Sequence, residues 1–145
     1  MTTPLDSLCA SLLVTAHRLT RIAAQTTGST TPSAVWNTLS ILSTSEPLRV
    51  GDLANTARVT QPSMTKLVHQ LSDDGLVLKI ADRNDSRAWL VTITDRGRNA
   101  LEEWRQTLGR ALGPMFADLE DSDIQTLTRA VELLRSRTSI NRTAA

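Results

Sequence analysis

Residues 59–75 read VTQPSMTKLVHQLSDDG, a helix with two unlike faces from which the rest of the chain can be read. Thr60 is suited to cap a helix because its hydroxyl can accept an orphan amide, and Pro62 falls in the first turn, where no donor is lost. Met64, Leu67, Val68 and Leu71 follow at helical spacing on one face, and Gly75 marks the stop. With that face turned to a core, Pro62, Thr65, Lys66 and His69 lie opposite, flanked by Gln61, Ser63 and Gln70. Short and flexible polar groups of this kind can meet base edges and phosphates, and the helix start adds backbone amides for phosphate. The same pattern also suits a solvated polar face on any helical bundle, so the flanking segments have to decide.

Upstream, Asp52 to Ala57 reads as a short helix bearing Leu53 and Ala54, and Leu48 to Val50 is long enough for only a fragment of strand. Downstream, Leu76 to Ile80 and Trp89 to Thr94 are rich in branched apolar residues, with the polar stretch Ala81 to Ala88 between them as a hairpin loop. Alternation along the second strand sends Trp89, Val91 and Ile93 one way and Leu90 and Thr92 the other. The loop carries Arg83, Asp85 and Arg87; it has the reach to place a guanidinium in a narrow minor groove, with Asp85 orienting Arg87. A charge-rich hairpin tip kept soluble by alternating signs would look the same. Two helices joined by a tight turn, then a two-stranded ribbon with an arginine-bearing loop, is the order of a winged helix-turn-helix.

The rest of the chain reads as helix. Leu5, Leu8, Leu12, Ala16, Leu19 and Ala23 form a stripe over residues 5–25, broken at Gly28. Thr31 with Pro32 is expected to start a second helix, capped by the Thr31 hydroxyl and carrying Val35, Trp36, Leu39 and Leu42 inward. Thr94 and Asp95 open a long helix with Leu101, Trp104, Leu108 and Leu112, interrupted near Gly113 and Pro114. A final helix begins at the acidic run Glu120, Asp121 and Asp123, which favours the positive end of a helix dipole. It carries Ile124, Leu127, Val131 and Leu134, and residues after Ser136 read as a frayed tail. The fold class expected is therefore mainly α with a small antiparallel β-hairpin.

At 145 residues the chain is expected to form a single domain able to bury a core without disulfides or metal. No apolar run approaches the roughly 20 residues of a bilayer span, and Met1 to Ser11 lacks the features of a signal peptide, so a cytoplasmic location without membrane contact is expected. The net charge of +1 does not itself select a polyanionic partner, but residues 49–98 hold eight basic against six acidic side chains, which puts the mild positive excess on the helix-turn-helix and wing.

The sequence resembles the MarR family, the multiple-antibiotic-resistance type of bacterial regulator, over nearly its whole length. Leu53-Ala54, then Val59 through Val68, closing at Leu71 and Gly75-Leu76-Val77, is similar to the family's helix-turn-helix. Asp82-Arg83-Asn84-Asp85-Ser86-Arg87, running into Val91 through Gly97, is similar to its wing and following helix start. The resemblance implies a sequence-specific, double-stranded-DNA-binding regulator and no enzyme. It also implies a homodimer held by the N- and C-terminal helices (residues 5–27 and 98–136) around a DNA-binding lobe at 32–96. Major-groove reading is then expected from Thr60, Gln61, Pro62, Ser63, Thr65, Lys66, His69 and Gln70, and minor-groove contact from Arg83 and Arg87 supported by Asp85. A dimer also makes independent sense, because two matched half-sites add their free energies. Arg58 departs from the pattern: the family usually has glycine or another small residue at this turn. A winged-helix module that holds another protein through the same lobe is the alternative.

The family typically binds small aromatic or anionic effectors between its dimerisation helices and its DNA-binding lobe. His17, Arg21, Trp36 and Arg49 are the residues here that could line such a crevice, by stacking and cationic contact, and ordinary packing would equally explain Trp36. Some relatives sense hydroperoxides through a cysteine in the first helix with the help of tyrosines. Cys9 invites the comparison, but the chain has no tyrosine, and a small inert side chain is the other reading. With Cys9, His17 and His69 as the only sulfur or imidazole ligands, no metal site or cofactor is expected.

Overall fold

The computed structural model describes residues 1–139. Helix α1 spans Pro4–Thr27. Its start is a reciprocal cap: the Asp6 amide donates to Thr3 Oγ1 at 3.1 Å, and the Thr3 amide donates to Asp6 Oδ2 at 2.7 Å. Those bonds, the backbone one first, hold the Asp6 carboxyl below its ordinary pKa. The helix ends where Gly28 turns left-handed at φ 62°. Helix α2 covers Ser33–Ser43. It starts at Pro32 without any side-chain cap, so the expected role of the Thr31 hydroxyl is not seen. Proline's fixed φ supplies the helical entry there, and the Val35 amide donates to the Pro32 carbonyl.

Strand β1 is only Leu48–Arg49, followed by α3 at Val50–Ala57 and α4 at Gln61–Asp73. Strands β2 (Val77–Ala81) and β3 (Trp89–Ile93) form the hairpin. The fragment expected at residues 48–50 becomes a true third strand: the antiparallel order is β1-β3-β2, with Arg49 opposite Leu90 and Leu90 opposite Ile80. Trp89 keeps the register of the strand, yet it is 55% exposed although Val91 and Ile93 are buried. It pairs with Ala81 at the outer end of the hairpin, beyond the reach of the core.

The core joins α2, α3, α4 and the sheet through Leu39, Leu42, Leu53, Met64, Val68, Leu71, Val77 and Val91, each essentially sealed from solvent. Full burial of one such side chain contributes about 1.5–3 kcal/mol. Helix α5, Asp95–Leu112, enters this core through Leu101. Thr94 ties its start to the preceding turn: Thr94 Oγ1 accepts from the Gly97 amide at 3.0 Å and donates to the Gly75 carbonyl at 2.7 Å.

The chain separates into two compact units, residues 1–111 and the segment from Leu112 onward. The second unit opens with a single 3₁₀ turn at Gly113–Phe116 and continues as α6, Asp121–Ser139. Helix persists to Ser139, so fraying does not begin at Ser136; residues 140–145 lie outside the described residues. Ile124, Leu127, Val131 and Leu134 form an exposed apolar stripe, and α6 buries no side chain of its own.

Candidate nucleic-acid interface

Helix α4 stands out from the lobe because only one of its faces is used by the core. Met64, Val68 and Leu71 are buried, whereas Thr60, Gln61, Pro62, Ser63, Thr65, Lys66, His69 and Gln70 are all exposed. Thr60 caps it as its sequence predicts: Thr60 Oγ1 accepts from the Ser63 amide at 3.3 Å and donates to Ser63 Oγ at 2.9 Å. The loop before it is tight, since Arg58 adopts φ 59° and ψ 42°, a left-handed conformation unusual for a residue with a Cβ. The departure noted at Arg58 is therefore one of side chain, not of backbone: the turn keeps the shape that glycine would take.

An open groove runs along the outer face of α4, lined by Gln61, Pro62, Thr65, Lys66, His69 and Lys79. Lys79 is the member that sequence reasoning missed. It lies on β2, two residues from buried Val77 and therefore on the same side of the strand, and it lines the same groove as Lys66. The period-2 pattern of the strand held that signal. At the far end of the helix His69 Nε2 lies 3.7 Å from Asp73 Oδ2, an exposed pair one turn apart. The groove thus combines two ammonium groups, an imidazole, an amide and a hydroxyl, a set suited to phosphate and base edges.

The wing loop turns Asp82 inward and leaves Arg83, Asp85 and Arg87 exposed. Asp82 is buried; its Oδ2 accepts from Arg49 Nε at 3.0 Å and Nη2 at 2.7 Å, and its Oδ1 accepts from the Asn84 amide at 2.9 Å. The Asn84 bond and then Arg49 hold the Asp82 carboxyl below its ordinary pKa, and Asp82 in return raises that of Arg49. Asp85 Oδ1 accepts from the backbone amide of Arg87 at 3.0 Å. Asp85 therefore shapes the chain at Arg87 through the backbone and forms no ion pair with its guanidinium among the described residues. Arg83 and Arg87 are exposed, and among the described residues neither guanidinium has a hydrogen-bond or ion-pair partner.

The four residues expected around an effector do not converge. Arg49 is bound to Asp82, and His17 and Arg21 are exposed on α1. Only Trp36 lines a cavity, of about 290 Å³, together with Thr27, Ser29, Glu103, Trp104 and Thr107. Trp36 stacks on Trp104 with centroids 4.8 Å apart, and its indole Nε1 is buried without a hydrogen-bond partner. Cys9 is exposed on α1. Among the described residues no helix is long and apolar enough to cross a membrane, and no three His, Cys, Asp or Glu side chains cluster as a metal site.

A short helix, a left-handed turn, a helix with a free polar face and an arginine-tipped hairpin define a winged helix-turn-helix protein. Comparison with known proteins agrees. The MarR family matches residues 33–89. The transcriptional activatory protein BadR of Rhodopseudomonas palustris is 33% identical over 118 residues, 80% of this chain and 66% of BadR. The homoprotocatechuate degradative operon repressor of Escherichia coli is 28% identical over 97 residues, 67% of this chain and 66% of the repressor. The matched stretches thus span slightly less than two thirds of these relatives. The transcriptional regulator Tm0710 of Thermotoga maritima shares the fold, with a TM-score of 0.72 at 18% identity over 97% of this chain and 99% of that one. The match identifies residues 33–89 as a winged helix-turn-helix region of the MarR family.

Proposed function

We propose that the chain is a homodimeric repressor that binds a pseudo-palindromic operator, reading the major groove with Thr60 to Gln70 and the adjacent minor groove with Arg83 and Arg87. The observation that carries this reading is the asymmetry of α4, sealed on its core face and wholly exposed on its polar one, beside a loop whose two arginines are unpaired. The DNA-binding lobe occupies residues 32–96. Segments 5–27 and 98–136 each offer apolar surface to a second copy: Leu5, Leu8, Leu12 and Leu13 are exposed on α1, as are Ile124, Leu127, Val131 and Leu134 on α6. Exposed apolar stripes of this kind mark association surfaces. The half-site centres then lie about one helical turn, roughly 34 Å, apart.

A small effector that changes the spacing of the two reading helices lowers operator affinity in this scheme. The Trp36–Trp104 cavity supports a single-ring ligand, since two indoles line it and the space is at the small end of ligand sites. Cys9 is an inert side chain in this scheme, and a loss of DNA binding on peroxide treatment that Cys9→Ser abolishes would make it a redox input instead. The test of the whole reading is selection of bound fragments from the source genome, repeated with Arg87→Ala. A shared two-fold element, bound by a dimer and weakened by the substitution, supports it. Salt-insensitive binding to another protein through the same lobe, with no fragment enriched, would replace it with the interaction-module reading.

A further inference from the structure

Among the described residues Arg49 is the basic residue of the lobe whose guanidinium is bound to a buried acid, through Nε and Nη2. Its side chain is 48% exposed against 8% for Asp82, so the arginine reaches from the surface inward to the carboxylate. Its path is set by the sheet. Arg49, Leu90 and Ile80 stand side by side on β1, β3 and β2, and Asp82 follows Ile80 by two residues, on the same face. The guanidinium therefore spans the central strand and ties the strand that leads into α3 to the first residue of the wing loop. The loop is closed on itself as well: the Asp82 amide donates to the Ala88 carbonyl at 3.1 Å and the Ala88 amide to the Asp85 carbonyl at 3.0 Å.

We infer that Arg49 is a positioning residue of the wing: by holding Asp82, it fixes the loop to the helix-turn-helix and keeps that carboxylate from pairing with Arg83 and Arg87. This rests on the DNA-binding reading above. Asp82 is a neighbour of Arg83 in the chain and five residues from Arg87. Deprived of Arg49, it is a buried carboxylate whose nearest cations along the chain are the ones the wing presents to DNA, and a buried charge without a partner recruits one. Removing one member of the pair is therefore far more disruptive than removing both.

The test uses the full chain and a genomic fragment selected by the unaltered protein. Arg49→Met is expected to lower affinity about tenfold, the scale of one charge-assisted hydrogen-bonded pair. Adding Asp82→Asn to it is expected to recover most of that loss. In a background of Arg83→Ala and Arg87→Ala, Arg49→Met is expected to change affinity less than about twofold, because the wing it acts through is already silent. An equal loss in that background, or no rescue by Asp82→Asn, overturns the inference. Hydrogen exchange of the Asn84 and Ala88 amides separates its failure from that of the DNA reading. Should no fragment be selected, faster exchange of both amides in Arg49→Met still supports the clamp, and unchanged exchange rejects it.

Discussion

Replacing Gly97 with alanine would drive a methyl group against the Leu76 carbonyl oxygen, far inside contact distance, and to 2.8 Å from Cγ1 of Ile93. The carbonyl cannot simply move away, because it accepts the Thr94 amide at 3.1 Å, part of the knot that starts α5. Overpacking costs about 1–3 kcal/mol, and the strained hydrogen bond adds about 1 kcal/mol. Better helix propensity returns less than about 1 kcal/mol so near a helix start. The net expectation is a loss of about 3 kcal/mol. Gly109, in the same helix, has nothing within 4 Å of where its Cβ would stand. There the same substitution should gain about 0.5–1 kcal/mol from propensity alone. Urea unfolding followed by circular dichroism, at one fixed protein concentration, reads both. Gly97→Ala should lower the midpoint by about 1–2 M and Gly109→Ala should raise it slightly. Midpoints that move together would refute the reasoning that α5 is seated through a glycine contact with the base of the wing.

Arg58→Gly should stabilise by about 0.5–1 kcal/mol in the same assay, because relief of a left-handed residue outweighs the added freedom of the unfolded chain. Thr60→Ala removes the cap of α4 and should cost about 1 kcal/mol. The stability that ionised Asp82 confers has a definite pH window. Its folded pKa lies below the ordinary carboxylate value, so the contribution is complete above about pH 4 and is lost as pH falls through the folded value. The stability difference between the unaltered protein and Asp82→Asn should accordingly be constant between about pH 5 and 7 and narrow on acidification, as unfolding at a series of pH values would reveal.

What was legible in the sequence was periodic and local. The outer face of α4 follows from the spacing of Met64, Val68 and Leu71, and the Thr60 cap from the residue type before Gln61 and Pro62. The hairpin followed from alternation, but alternation says which side a residue takes and not whether anything covers it, and Trp89 runs past the core for that reason. The contacts that sequence could not show are those joining distant segments. Arg49 and Asp82 are 33 residues apart, so Arg49 looked available to an effector when its guanidinium is already bound. Trp36 and Trp104 come together only because α2 and α5 do. Lys79 carried a weak signal in its register with Val77, and Asp82 another as an acid two residues before a turn amide, the arrangement of an Asx turn.

The outer face of α4 holding a phosphate backbone is the claim on which the account stands, and the salt dependence of operator binding tests it most directly. The logarithm of the affinity should fall linearly with the logarithm of salt concentration, and Lys66→Ala, equally folded, should reduce that slope by about 1, the share of one released counterion. Binding that is indifferent to salt, or a slope unchanged by Lys66→Ala, would contradict it.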